Sequence, residues 1–189
     1  MSDTKPAFTQ NEYAQRVAKT RTAMLKAGVE VLICADPSNM NWLTGYDGWS
    51  FYVHQAVIVL PDGEPLWFGR PIDKAGVRLT TYLDAASVFS YPDTYVQNPL
   101  AHPYQILAGI LRDKGYAAAR IGVEMDNYYF SAKCLEVLRA ELPDARITDA
   151  TALVNWQRAV KSEQELNYMR LAARIVEASS GGAAIVVVF

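Results

Sequence analysis

Reactive side chains are scarce in this 189-residue chain: two histidines, His54 and His102, two cysteines, Cys34 and Cys134, and 20 acidic residues against 18 basic ones. A metallohydrolase needs imidazoles and carboxylates that converge. Neither histidine has a second ligand at close spacing or a His-Glu-x-x-His helix around it, so no complete metal site is expected. His54 falls in a strand-like run, where a satisfied core or interface histidine is the ordinary role, and His102, before Pro103, reads as a loop residue. Glu124 and Asp126 are spaced to share one face of a strand, as a pair that turns to solvent as readily as to a substrate. Neither cysteine sits in a nucleophile motif and there is no Gly-x-Ser-x-Gly elbow, so covalent catalysis has no support. Gly45-Tyr-Asp-Gly48 lacks the spacing of a phosphate loop, and Asp47 would repel an anion. What remains is the segment from Trp42 to Tyr52, the densest aromatic patch. Such a patch packs a core, forms an interface or stacks on a cation, the first two being the commoner uses.

The composition sets bounds on what these residues serve. A net charge of −2 excludes a broad basic surface for nucleic acid, while 51% hydrophobic and 20% charged residues fit a globular chain with a real core. No apolar run approaches the roughly 18 to 20 residues that span a bilayer, and the polar start lacks the regions of a secretory signal. A soluble cytosolic chain with no membrane or nucleic-acid partner is therefore expected. Two cysteines are too few for a disulfide framework, so both are expected reduced and packed.

Helical and strand-like segments alternate. Thr9 and Glu12 form a capping box, and Tyr13, Val17 and Met24 continue at helical spacing to Gly28, which predicts a helix over about 10 to 27. Val29 to Cys34 reads as a buried strand feeding a loop at Asp36-Pro37-Ser38-Asn39. Val53 to Leu60 and Pro65 to Phe68 flank the turn cluster Pro61-Asp-Gly63-Glu, which predicts an antiparallel hairpin and hence a mixed sheet. An apolar-spaced segment from Ile72 to Tyr82 leads to a strand at Ala86 to Tyr91, and a long loop follows over 92 to 103. Tyr104, Leu107, Ala108 and Leu111 mark a helix stopped at Gly115. Arg120 to Glu124 is a strand, Cys134 to Leu142 a helix, and Arg146 to Thr148 an edge strand. Ser162 and Glu165 form a second capping box, starting a long amphipathic helix with Leu166, Met169, Ala173 and Val176 on one face. After Ser179-Ser-Gly-Gly182 the chain turns to the uncharged run Ala183 to Phe189, which must bury, as a closing strand or otherwise, or else marks an altered end.

Three blocks, in order and spacing, resemble the creatinase/prolidase family of "pita-bread" hydrolases, specifically its amino-terminal domain. Asp36-Pro-Ser-Asn-Met-Asn-Trp-Leu-Thr-Gly-Tyr46 is similar to that family's strand followed by a helix turn. Arg120-Ile-Gly-Val-Glu124 is similar to a family strand, and Arg158-Ala-Val-Lys-Ser-Glu-Gln-Glu-Leu166 to the linker entering the catalytic half. The resemblance implies an α/β fold, a mixed β-sheet flanked by helices and ribonuclease-H-like, ending in a long linker helix. It divides the chain into an α/β domain over 1–160, the linker helix over 161–178 and an anomalous tail over 179–189, where the family would continue its helix.

The same resemblance places the catalytic groups in a carboxy-terminal domain beyond this chain. No catalytic residue and no cofactor is therefore expected within it, although full-length relatives in some branches bind a divalent metal. The family is dimeric, the amino-terminal domain of one subunit capping the active site of the other, which makes Tyr46, Trp49, Phe51, Tyr52 and His54 candidates to line a substrate pocket. Tyr46 to Tyr52, Tyr91 to Gln97 and Gly122 to Phe130 look most like the branch that opens the cyclic amidine ectoine. Branches acting on creatine, Xaa-Pro peptides and dimethylsulfoniopropionate are close rivals. The implied function is a capping and dimerisation domain for hydrolysis of a C–N bond in a small substrate, inert alone. A stand-alone module binding a small ligand or protein is the alternative. An unrelated flavodoxin-like domain would need an all-parallel sheet, against which the expected hairpin stands.

Overall fold

The computed structural model of the chain describes residues 6–182, with side chains as far as Ser179. Two compact units divide it, one up to Gln157 and one from Arg158. Among the described residues, no helix is long and apolar enough to cross a membrane.

The first unit is built on a six-stranded mixed sheet. Its strands are β1 (Val31–Cys34), β2 (Ala56–Val59), β3 (Leu66–Gly69), β4 (Val88–Ser90), β5 (Arg120–Val123) and β6 (Arg146–Asp149), in the spatial order β4-β3-β2-β1-β5-β6. β2 alone runs against its neighbours: it pairs antiparallel with β1 and β3, and the remaining pairs are parallel. The expected hairpin is present, with Val57 opposite Trp67 and Ile58 opposite Leu66.

Helices cover both faces, so the central strands are buried on both and read as continuous apolar runs. Alternation along β1 shows the division. Val31 and Ile33 enter one core with Leu107 and Leu111 of α4 (Pro103–Asp113) and Val137 and Leu138 of α5 (Ala132–Glu141). Leu32 and Cys34 enter the other, with Val17 and Met24 of α1 (Gln10–Ala27), Met40 and Leu43 of α2 (Pro37–Thr44), Val77 of α3 (Lys74–Thr80) and Val154 of α6 (Leu153–Ala159). Cys34 and Cys134 thus lie in different cores, buried and unbridged.

Capping chemistry fixes several ends as expected. The Glu12 N–H donates to Thr9 Oγ1 at 3.2 Å, and Gly28 closes α1 at φ 68°. In the second unit, α7 (Glu163–Gly182) starts on a reciprocal box: the Ser162 N–H donates to Glu165 Oε2 at 2.8 Å and the Glu165 N–H to Ser162 Oγ at 3.2 Å.

The structure departs from the residue-by-residue reading at several points. The loop read from the turn residues after β1 is the helix α2, as the family resemblance of that block implied, because Asp36 caps it by accepting from the Ser38 and Asn39 N–H groups and Pro37 occupies the first turn. The helix α6 was not anticipated. The linker helix runs past residue 178, since α7 continues to Gly182 and the Ser179 hydroxyl donates back to the Ile175 carbonyl at 2.8 Å. The apolar run 183–189 lies outside the described residues.

One buried network joins the motif blocks. Glu124, 1% exposed at the end of β5, accepts from the Ala35 N–H at 2.6 Å, the Asp36 N–H at 2.7 Å and Asn39 Nδ2 at 2.5 Å. Asn39 Nδ2 also donates to Asn155 Oδ1 of α6 at 2.8 Å, and Asn127 Nδ2 to Asp36 Oδ2 at 3.0 Å. Gly122 belongs to the same construction: a Cβ there would lie 2.9 Å from Ala150 Cβ and 3.0 Å from Val29 Cγ1. Burial pushes the Glu124 carboxyl above its ordinary 4.5 and outweighs the three donors that pull it down.

In Glu124→Gln an amide N–H₂ faces the Asn39 amide, so urea unfolding should show a loss of about 1–3 kcal/mol with unchanged slope. Because the folded carboxyl holds its proton more tightly than the unfolded one, its contribution falls as pH rises through the window above 4.5, and that component should vanish in the variant.

Candidate functional site

The loop from α2 to β2 carries all five residues singled out by the sequence. It begins at Gly45, at φ 83°, where a Cβ would lie 2.7 Å from both the Thr80 carbonyl oxygen and the Tyr13 hydroxyl, so only glycine fits. Tyr46 then turns inward. Its ring is buried against Trp67, centroids 5.2 Å apart, and its hydroxyl accepts from Gln55 Nε2 at 3.0 Å. Gln55 Nε2 also donates to Asp73 Oδ2 at 2.8 Å, and burial pushes the Tyr46 phenol well above its ordinary range. Tyr46 therefore supports the loop from beneath.

Beyond Gly48 the chain emerges, and Trp49, Phe51 and Tyr52 are 60%, 80% and 60% exposed. These rings form a shelf held at its edges. The Trp49 indole N–H donates to the Tyr129 hydroxyl, and the Trp49 and Phe51 rings lie 6.1 Å apart. The Tyr52 hydroxyl accepts from Arg70 Nη1 at 3.4 Å, and Arg70 Nε pairs with Asp93 Oδ1 at 2.8 Å. A guanidinium and a carboxylate thus stand beside exposed ring faces, an arrangement that suits a compact ligand carrying both signs of charge.

His54 ends the loop half-buried. Its ring lies 4.7 Å from that of His102 and 5.6 Å from that of Tyr104, and its Nδ1 is 3.7 Å from Cys134 Sγ. Its backbone carbonyl accepts from the Tyr91 hydroxyl at 2.9 Å. Burial lowers the His54 imidazole below its ordinary 6.5, against the opposing hydrogen bond that the ring donates to the Tyr129 backbone carbonyl. Burial, with help from His54 and Lys133, lowers His102 to about 4. Both rings line a hollow of about 120 Å³ with Tyr52, Tyr91 and Tyr95.

His102 is a cap as well as a loop residue. Its Nδ1 accepts from the Tyr104 N–H at 3.2 Å while its own N–H donates to Gln105 Oε1 at 2.9 Å. Pro103 followed by Gln105 was the available signal for that cap. Arg70, Tyr129 and Cys134 were not singled out, because they reach the loop from other elements. Nor do Glu124 and Asp126 act as a carboxylate pair, since Glu124 is committed to the turn after β1.

The described residues hold one group of three or more His, Cys, Asp or Glu side chains close enough to share a cation, His54, His102 and Cys134, and it contains no carboxylate. That set does not match a carboxylate-bound hard cation such as Mg²⁺ or Ca²⁺.

Residues 16–160 match the Creatinase/Prolidase N-terminal domain family. Over 170 residues the chain is 55% identical to "Ectoine hydrolase" of Halomonas elongata, an alignment covering 89% of this chain and 43% of that relative. The chain thus spans less than half the length of that curated relative. Among solved structures, the Xaa-Pro dipeptidase from Bacillus anthracis superposes with a TM-score of 0.71 at 13% identity, covering 90% of this chain and 42% of that one. The Creatinase/Prolidase N-terminal domain of an X-Pro dipeptidase from Streptococcus pyogenes superposes with a TM-score of 0.59 at 21% identity, covering 76% of this chain and 98% of that one. At such identities these two likenesses establish the fold alone. The chain belongs to the Creatinase/Prolidase N-terminal domain family.

Proposed function

We propose that this chain is the capping and dimerisation domain of a hydrolase that breaks a C–N bond in a small cationic or zwitterionic substrate, with ectoine ring opening the first candidate. The observation that carries this reading is the exposed shelf of Trp49, Phe51 and Tyr52 beside the Arg70–Asp93 pair. Ring faces attract diffuse positive charge such as that of an amidinium, and a guanidinium attracts a carboxylate, so a compact zwitterion matches both. The 55% identity to an ectoine hydrolase favours this substrate class over the rivals. In this reading Trp49, Phe51, Tyr52 and His54 face the substrate in a neighbouring subunit's active site, and Tyr46 positions them. The reacting acid and base, and any hard cation, come from sequence outside these residues.

The isolated chain should therefore show no ectoine opening, creatine hydrolysis or Xaa-Pro cleavage, and clear turnover by pure protein would overturn the proposal. The reading frame beyond the codon for residue 178 should continue into sequence with His and acidic motifs, whereas a natural stop in many intact copies would favour a stand-alone binding module.

A second expectation concerns association. Leu166, Met169, Ala173 and Val176 share one face of α7 at helical spacing. Burying three such side chains contributes on the order of 5 kcal/mol. Light scattering should find the isolated chain self-associated, and Met169→Glu with Val176→Glu should return it to monomer. A strictly monomeric unaltered chain would count against this.

A further inference from the structure

We infer that His54, His102 and Cys134 form a binding site for a thiophilic divalent cation of the zinc type. The inference stands apart from the hydrolase reading, because it rests on geometry within this chain and needs no substrate.

One ring nitrogen from each histidine and the Cys134 sulfur lie within 4.8 Å of one another. They arrive from three separate pieces of chain: the loop before β2, the cap of α4 and the first turns of α5. Tetrahedral zinc holds sulfur at about 2.3 Å and nitrogen at about 2.0–2.1 Å, which sets a ligand sulfur and nitrogen roughly 3.6 Å apart. His54 Nδ1 and Cys134 Sγ, at 3.7 Å, already stand at that spacing. The remaining pairs, within 4.8 Å, close by roughly 1.5 Å at most, within reach of ring rotation at the half-buried His102. Two imidazoles and a thiolate select a borderline-soft ion over magnesium or calcium.

Access and coordination number follow from burial. His54 and His102 line the hollow of about 120 Å³, whereas Cys134 is fully buried behind them. A cation enters from the hollow, and three protein ligands leave its fourth position on that side for water or a small ligand. On binding, the Cys134 S–H proton leaves to solvent and the sulfur lone pair forms the metal bond.

The surroundings supply a second, independent observation. The Tyr104 hydroxyl is fully buried, meets no oxygen or nitrogen partner, and faces only the Cys134 thiol. A neutral thiol is a poor acceptor and a metal-bound thiolate a better one, so the bound cation gives this donor its partner. Ser131 Oγ, 3.3 Å from Cys134 Sγ, is placed to add a second donor. Ligation by His102 through either ring nitrogen either uses or protonates the Nδ1 lone pair. The cation therefore displaces the long 3.2 Å cap bond to the Tyr104 N–H.

Titration of the tag-free 189-residue chain with Co²⁺ and then Zn²⁺, followed by absorption and calorimetry, tests the assignment. One Co²⁺ per chain should bind with a thiolate-to-metal charge-transfer band in the near ultraviolet, and Zn²⁺ should displace it. Cys134→Ser should abolish the band, and Cys34→Ala, in the other core, should leave it intact. His102→Asn keeps a capping oxygen where Nδ1 stood and removes the ligand, so zinc affinity should fall by at least about 10- to 100-fold, with Tyr104→Phe falling about 10-fold. No saturable binding, a cobalt spectrum without the thiolate band, or affinities unchanged in Cys134→Ser and His102→Asn would each overturn the site. Should Cys134→Ser fail to fold, His102→Asn and Tyr104→Phe decide. None of these outcomes bears on C–N hydrolysis, which is assayed separately.

Discussion

The Glu124 carboxylate ties the end of β5 to the turn between β1 and α2. Two backbone N–H groups and the Asn39 amide converge on it in a site closed to water. A buried carboxylate without such donors would be intolerable, and the donors without the carboxylate would be orphaned, so each side obliges the other. This bond holds the start of α2, and α2 delivers Gly45 and the aromatic loop beyond it. The Asp36–Tyr46 and Arg120–Glu124 blocks, far apart in sequence, are two halves of that junction. Asn155 attaches α6 to the same junction through Asn39.

The loop from Gly45 to Gln55 divides its aromatic residues between two tasks. Tyr46 is spent on the core, bonded to Gln55 and packed on Trp67, and that anchoring leaves Trp49, Phe51 and Tyr52 to the surface. Exposed rings are normally mobile, yet here the indole N–H of Trp49 and the hydroxyl of Tyr52 each meet a side chain from another segment. A surface whose rotamers are already restricted loses less entropy when it closes over a ligand.

What the sequence revealed was mostly local. The N-cap at Thr9, the capping box at Ser162, the hairpin around Gly63 and the helical spacing in α1, α4 and α5 depend on neighbours within a few residues, and these appear in the structure, although Glu12 pairs with Arg16 instead of closing a box on Thr9. Read residue by residue, the helix α2 was hidden because Asp-Pro-Ser-Asn is turn chemistry and cap chemistry at once, and only the family resemblance of the Asp36–Tyr46 block implied a helix turn there. The meeting of His54, His102 and Cys134 was illegible for another reason: it depends on how two helices pack on one sheet face, which no spacing records. The exposed residues of the loop could be singled out by type, but their separation from Tyr46 depends on the left-handed turn at Gly45 and the close approach of Tyr13.

The chain leaves β1 toward one face of the sheet through α2, and it leaves the adjacent parallel strand β5 toward the opposite face through α5. In open α/β sheets that divergence opens a crevice at the carboxyl ends of the two strands, where such folds ordinarily seat a nucleotide or metabolite. Here Asp36, Asn39, Glu124 and Asn127 occupy it with their own hydrogen bonds. The fold has filled that crevice with its own side chains.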